Sequence, residues 1–119
     1  MNLTNKVVII TGGARGQGAA EAQLFALNGA KVIVSDIDQA KGERTAKKIG
    51  QDAVFMRHDV TSEGDWRKVI DFAMERFQKL DVLINNAGVF KPRPIQETDT
   101  AIFDIQYRIN QLGTFLIED

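Results

Sequence analysis

The 119-residue sequence contains no cysteine, and this absence excludes two classes of small stable domain. Disulfide-stapled scaffolds and cysteine-ligated zinc domains both depend on the missing residue. Proline is almost as scarce, with 2 residues, Pro92 and Pro94, which predict a loop where they lie. A chain of this length can bury about two thirds of its unfolded surface. We therefore expect one domain whose core has ordinary stability without staples.

An excess of charge of one sign is also missing, since 15 basic and 16 acidic side chains give a net charge of -1. Nucleic acids and anionic membrane surfaces usually need clustered lysine and arginine, so neither is expected as the main partner. No apolar run approaches the roughly 18 residues of a membrane span, and residues 1–6 do not resemble a secretory signal. The sequence predicts a cytoplasmic protein with no membrane contact.

What the sequence does contain is an alternation of short β-branched runs with longer helical stretches. Strands are predicted over residues 7–10, 31–36, 53–56 and 81–84. The first helix is closed by Asn28 and Gly29, the second covers residues 39–49, and the third is capped by Ser62 with Asp65. A last amphipathic helix is predicted from about Thr98 to the chain end. This order predicts parallel βαβ units in one domain.

Three glycines lie between the first strand and the first helix, at Gly12, Gly16 and Gly18. Without Cβ atoms, the backbone there can turn sharply and approach a phosphate closely. The start of a helix also offers free N–H groups and the positive end of its dipole, so a pyrophosphate can bind there. The alternative interpretation is that these glycines serve only the packing of a tight turn.

Asp36 ends the second predicted strand, where a Rossmann unit places an acid that accepts hydrogen bonds from the adenosine ribose hydroxyls. The same carboxylate would repel a 2'-phosphate, which favours NAD over NADP. Asp36 could instead be an acidic helix cap, although Asp38 could also take that part.

These features together resemble the short-chain dehydrogenase/reductase family. The matching segments are Thr11-Gly12-Gly13-Ala14-Arg15-Gly16-Gln17-Gly18, Asp36, Asp59-Val60, Asn85-Asn86-Ala87-Gly88 and Asn110 with Gly113. The resemblance covers essentially the whole chain but only the amino-terminal half of the family's domain. It implies a partial α/β Rossmann-type domain over residues 1–119, a three-layer αβα sandwich. Its parallel sheet is expected to have about four strands in the order 3-2-1-4.

The resemblance also assigns residues to the two ends of a bound dinucleotide. The diphosphate and nicotinamide side would be lined by the residues of the glycine turn, which are Gly12, Arg15, Gly16, Gln17 and Gly18. On the adenosine side, Asp36 and Ile37 would border the ribose. Asp59 would accept a hydrogen bond from the adenine amino group, and Val60 would contact the ring.

Further along the chain, Asn86, Ala87 and Gly88 would brace the sheet edge and approach the nicotinamide ribose. Asn110 matches the helix asparagine that holds a water in the family's proton relay, and it is the one predicted catalytic residue. No carboxylate pair or metal-ligand cluster stands out in the sequence. His58 is interpreted as a loop histidine without a role.

Two positions depart from the commonest family pattern. Gln17 stands where the family more often has an apolar residue. Arg15 has a placement seen in NADP-using relatives, where the guanidinium can pair with the 2'-phosphate. Because Asp36 opposes that phosphate, NAD is the predicted cofactor and NADP the alternative.

The resemblance also implies that catalysis depends on a serine and a Tyr-x3-Lys pair downstream of the last matching segment, and neither is present in these 119 residues. Tyr107 is the only tyrosine, and Gln111 stands four positions after it. We therefore expect the cofactor-binding half of an oxidoreductase, inactive alone. The alternative is a non-enzymatic dinucleotide-binding or oligomerisation module. We also expect a homodimer or higher homo-oligomer, formed through an open edge of the fourth strand or the apolar face of the last helix.

Overall fold

The computed structural model of the protein describes residues 2–86 and 114–116. Strands and helices alternate through the first of these ranges. The elements are β1 (Val7–Thr11), α1 (Gly16–Leu27), β2 (Lys31–Asp36), α2 (Gln39–Ile49), β3 (Ala53–Arg57), α3 (Glu63–Phe77), β4 (Val82–Asn85) and β5 (Thr114–Leu116). The bounds of β2 and α2 are those that the sequence predicts, and the ends of β1, β3 and β4 differ from prediction by one residue.

The strands form one sheet in the order β3-β2-β1-β4-β5. β1 lies at the centre and pairs in parallel with β2 and with β4, while β3 continues the sheet beyond β2. The predicted parallel order 3-2-1-4 is therefore confirmed. In this register Thr11 lies opposite Ser35 on one side and Asn85 on the other, so the carboxyl ends of three strands meet.

The outer edge of β4 differs from the prediction, because β5 pairs with it in antiparallel orientation. Leu83 lies opposite Phe115, and Ile84 lies opposite Thr114. The prediction of an open β4 edge is therefore wrong, since another segment of the chain fills the hydrogen-bonding positions that would otherwise attract a partner. The predicted last helix is wrong at residues 114–116, and the rest of it lies outside the described residues.

Helices cover both faces of the sheet. On one face, α3 packs Trp66, Val69 and Ala73 against the buried strand residues Ile9 and Leu83. On the other face, α1 and α2 contribute Ala22 and Ala46 to a second cluster formed with the intervening strand residues Val8, Ile10, Val32, Val34 and Ile84. Every residue of β1 is buried, as expected for a central strand of a parallel sheet with both faces covered. The molecule is a three-layer αβα sandwich.

Candidate functional site

A cleft of about 360 Å³ opens where β1, β2 and β3 end and α1 begins. It is lined by Gly12, Arg15, Gln17, Gly18, Asp36, Ile37, His58, Asp59, Val60 and Asn86. All of these except His58 are residues predicted to contact a cofactor, and they come from four separate connections of the chain. Gly16 is the first residue of α1, between two of the lining residues. The other predicted residues, Ala87, Gly88 and Asn110, lie outside the described residues.

The glycine turn has a backbone conformation that other residues rarely adopt. Gly12 and Gly16 have φ angles of 63° and 58°, in the left-handed region that glycine enters without strain. A Cβ atom on Gly18 would overlap the carbonyl oxygen of Gly12. This close approach lets the first turn of α1 sit directly against the end of β1. Apart from Gly16's own helix backbone and chain neighbours, no described atom lies within 4 Å of where a Cβ on Gly16 would be.

The start of α1 differs from the starts of the other two helices. The N-cap residue Arg15 makes no side-chain hydrogen bond to the first turn, and that turn contains no acidic residue. By contrast, Asp38 caps α2 and Ser62 caps α3 through side-chain oxygens that accept from backbone N–H groups. The first N–H groups of a helix have no intrahelical acceptor. The turn of α1 that borders the cleft therefore keeps its capacity to bind an anion.

Asp36 lies at the end of β2, beside the glycine turn, and two backbone N–H groups hold its carboxylate in place. Its Oδ2 accepts a hydrogen bond from the N–H of Ala14 at 3.0 Å, and its Oδ1 accepts one from the N–H of Asp38 at 3.0 Å. The helix cap is a different residue, because Asp38 Oδ1 accepts from the N–H of Lys41 at 3.0 Å. The alternative in which Asp36 is only a helix cap is therefore wrong. Each carboxylate oxygen can accept a second hydrogen bond from a ligand.

Arg15 extends from the turn toward the start of α2. Its guanidinium Nη2 lies 2.5 Å from Oδ2 of Asp38. The sequence suggests Arg15 as a ligand of a phosphate. The sequence does not indicate that Asp38 is its partner. No spacing rule would have identified it, because the two residues are brought together by the approach of two loops.

The third side of the cleft is the connection between β3 and α3. Asp59 Oδ1 accepts hydrogen bonds from the hydroxyl of Thr61 at 2.7 Å and from its backbone N–H at 2.9 Å. These two hydrogen bonds lower the pKa of the Asp59 carboxyl below its ordinary value, and the bond from the Thr61 hydroxyl has the larger effect. The connection is also fixed by Trp66, whose Nε1 donates to the carbonyl oxygen of Val60 at 2.9 Å. The carboxylate is thus ionised and fixed at the cleft.

His58 lies in the loop between β3 and α3, as predicted, and its side chain is buried below this connection. Its Nδ1 lies 3.0 Å from the Ser35 hydroxyl, and its ring packs edge-on against Trp66 with centroids 4.3 Å apart. Burial lowers the pKa of His58 from 6.5 to about 4, although the negative charges of Asp65 and Asp59 act in the opposite direction. The imidazole is therefore neutral at pH 7 and supports the cleft from beneath.

Asn86 closes the fourth side, directly after β4. Its backbone N–H donates to Oγ1 of Thr11 at 3.1 Å, and its side-chain amide donates to the carboxylate of Glu21 on α1. The Thr11 hydroxyl donates in turn to Oδ1 of Asn85 at 2.6 Å. These contacts fix Asn86 relative to both β1 and α1. Sequence reasoning did not identify Glu21, which has no motif of its own.

A metal centre and a membrane span are two further features that a chain of this size could contain. Residues 2–86 and 114–116 contain no group of three His, Asp or Glu side chains placed to hold a metal ion. Over the same residues, no helix combines the length and the apolar character that crossing a bilayer requires.

Comparison with known proteins places these features in a family. The family model described as short chain dehydrogenase matches residues 6–118. Two similar curated proteins are the sex determination protein tasselseed-2 of Zea mays and the 3-beta-hydroxysteroid dehydrogenase of Comamonas testosteroni. The first is 46% identical and the second 39% identical over 96% of this chain, which covers 36% and 45% of their lengths.

A similar solved structure is the 3-ketoacyl-(acyl-carrier-protein) reductase of Brucella melitensis complexed with NADH. It has a TM-score of 0.72 and 38% identity, and the match covers 87% of this chain and 43% of that one. The chain thus spans less than half the length of the relatives that it matches, and it corresponds to their amino-terminal part. The protein belongs to the short chain dehydrogenase family.

Proposed function

We propose that this chain is the cofactor-binding half of an NAD-dependent oxidoreductase. The observation that supports this most directly is the pairing of two features at one cleft. The first turn of α1 has no side-chain cap, and the carboxylate of Asp36 accepts a hydrogen bond from the N–H of Ala14, two residues before that helix begins. An anion-binding helix start next to a fixed acid matches the chemistry of a dinucleotide, which joins a diphosphate to ribose hydroxyls.

The residues around the glycine turn would hold the diphosphate. The backbone at Gly12, Gly16 and Gly18 can approach the phosphates closely, because these three residues have no side chains, and the N–H of Gln17 lies between two of them. The position that a Cβ on Gly16 would take is open space, so the backbone is accessible at that residue. The fit of the turn to a diphosphate therefore depends on backbone groups and needs little help from cations.

The adenosine half would lie between the ends of β2 and β3. Asp36 would accept hydrogen bonds from the ribose hydroxyls, with Ile37 beside it. Asp59 would accept from the adenine amino group, and Val60 would contact the ring, since all four residues line the cleft. A 2'-phosphate would face the Asp36 carboxylate, and the cost of bringing two anions together favours NAD over NADP.

The remaining roles concern the nicotinamide end. Asn86, held by Thr11 and Glu21, would approach the nicotinamide ribose together with Ala87 and Gly88. When bound, the cofactor supplies a hydride acceptor or donor for an alcohol or carbonyl substrate. The sequence has no Tyr-x3-Lys pair, so we expect the 119-residue chain to bind the cofactor without turning it over. Asn110 remains the predicted relay residue of a complete site.

The sequence also predicts a homo-oligomer and a cytoplasmic location, and both remain proposals. Because β5 pairs with the edge of β4, we no longer propose that edge as the contact. Light scattering across micromolar concentrations tests the assembly, and a monomeric mass throughout would contradict it.

Titration of the purified chain with NADH tests the proposed function. Binding in the cleft should shift and intensify the fluorescence of the reduced nicotinamide of NADH. Oxidised NAD, added as a competitor, should reverse this change. No fluorescence change at millimolar NADH would contradict the proposal and favour the alternative of a module that only assembles with other chains.

A further inference from the structure

Asp38 makes three contacts at the mouth of the cleft. Its Oδ1 caps α2 by accepting from Lys41, its Oδ2 pairs with the guanidinium of Arg15, and its backbone N–H donates to Asp36. One residue therefore connects the acid proposed to hold the ribose with the arginine that lines the same cleft. Asp38 itself does not line the cleft.

We propose that Asp38 is a specificity-determining residue, which holds the Arg15 guanidinium in an ion pair and so withholds it from a 2'-phosphate. The inference rests on the proposed function, since it concerns the choice between two dinucleotides at that site. NADP would then be disfavoured in two ways. The Asp36 carboxylate repels the 2'-phosphate, and the Arg15 guanidinium that could attract this phosphate is paired with Asp38.

The position of Arg15 gives it the reach to make such a contact. It follows Ala14, whose N–H donates to Asp36 Oδ2, so its backbone starts one residue from the proposed ribose contact. Arg15 is the one lysine or arginine among the described residues that line the cleft. Guanidinium groups form paired hydrogen bonds with phosphate oxygens as readily as with carboxylates. Asp38 and a 2'-phosphate would therefore compete for the same group.

Asp38 is well placed to win this competition. The hydrogen bond that Asp38 accepts from the N–H of Lys41 fixes its carboxylate independently of Arg15. Little side-chain freedom of Asp38 is therefore lost when the ion pair forms. The Arg15 side chain is 59% exposed, however, and an exposed pair has a modest effect on an equilibrium. We expect the contribution of Asp38 to selectivity to be several-fold and that of Asp36 to remain the larger.

Replacement by asparagine separates the ion pair from the cap. The amide side chain would retain an oxygen that can accept from the N–H of Lys41, because asparagine caps helices as well as aspartate does. The variant Asp38→Asn should therefore fold normally while releasing Arg15. A matched control is Asp52→Asn, which makes the same charge change at the exposed Lys31–Asp52 pair, also 2.5 Å long, at the opposite end of β2.

The experiment is calorimetric titration of the 119-residue chain with NAD and with NADP. It is performed for the wild type, Asp38→Asn, Arg15→Ala, the double variant and the Asp52→Asn control. We expect Asp38→Asn to tighten NADP binding about two- to fivefold, the scale of one exposed ion pair, and to leave NAD binding nearly unchanged. The gain should vanish in the Arg15→Ala background and be absent in the control.

Each other outcome counts against the inference in a distinguishable way. If NAD binds but Asp38→Asn leaves the NADP affinity unchanged, the inference is overturned and the proposed function stands. If the gain persists without Arg15, or appears equally in Asp52→Asn, it reflects repulsion by a negative charge and the ion pair plays no part. If the wild type binds neither dinucleotide at millimolar concentration, the proposed function and this inference both fall.

Discussion

The carboxylate of Asp36 accepts a hydrogen bond from the backbone N–H of Ala14, with 3.0 Å between Oδ2 and the nitrogen. The contact joins the end of β2 to the glycine turn that follows β1. The part of the site proposed to hold the ribose and the part proposed to hold the diphosphate are thus fixed relative to each other. A ligand that bridges them would meet an arrangement formed in advance, which reduces the ordering cost of binding.

Replacing Asp36 with asparagine should weaken NAD binding. The amide would keep one acceptor oxygen but would lose the charge that strengthens hydrogen bonds to the ribose. Hydrogen bonds to a charged group contribute about 1.5 to 3 kcal/mol and those to a neutral group about 1 kcal/mol, so we expect Kd to rise by roughly twofold to thirtyfold. Calorimetry measures the change, with Asp52→Asn as the charge-matched control. Equal NAD affinity in Asp36→Asn and the wild type would show that the ribose is held elsewhere.

Replacing Gly18 with alanine should destabilise the fold. The new Cβ would overlap the carbonyl oxygen of Gly12, and the helix would have to move away from β1. Overpacking of this kind costs about 1 to 3 kcal/mol in the free energy of unfolding. The matched control is Gly64→Ala in α3, where the Cβ would lie no closer than 3.7 Å to the Ser62 hydroxyl. Urea unfolding compares the two, and similar midpoints would contradict close packing at Gly18.

His58 should make the stability fall as the pH is lowered below neutrality. Its pKa is about 4 in the folded protein and near 6.5 in the unfolded chain. Between these values the unfolded chain binds more protons, so acid favours unfolding across this window. The contribution is complete above pH 6.5 and is lost as the pH approaches 4. The shift corresponds to about 3 kcal/mol, an order-of-magnitude value.

Unfolding by urea at a series of pH values measures this dependence, and His58→Gln is the comparison variant. The variant should be less stable at pH 7, because the hydrogen bond with Ser35 and the contact with Trp66 are altered. Its free energy of unfolding should nevertheless change less between about pH 6.5 and 5, because it lacks the group whose two pKa values bracket that range. Parallel profiles for the two proteins in that range would indicate that His58 is already exposed to protonation in the fold.

The first four strands were predictable because local chemistry determines them. Residues 31–36 form a β-branched run that ends in an acid, and the structure gives β2 those bounds. The buried face of α1 was less obvious, because it contains the small residues Gly18 and Ala22 while Leu24 and Leu27 are 50% and 77% exposed. A helix that packs closely on a sheet needs small side chains at the contact, so side-chain size does not mark the buried face.

The rest of the site depends on approaches between distant segments. The glycine turn and Asp36 could be predicted from motif spacing, but the Arg15–Asp38 pair and the Glu21–Asn86 hydrogen bond could not. Each joins residues that have no fixed separation in sequence. β5 escaped prediction for a related reason, because a three-residue strand is too short for its apolar spacing to be distinguished from that of a helix.

The most direct test of the proposed dinucleotide site is a nitrogen-15 NMR titration of the chain with NAD. We expect the amide signals of Gly12, Gly16, Gln17 and Gly18 to shift together with those of Ile37 and Val60. Signals from Lys31 and Asp52, at the far end of the sheet, should stay in place. An unchanged spectrum at millimolar NAD, or shifts confined to residues away from the cleft, would contradict the proposed site.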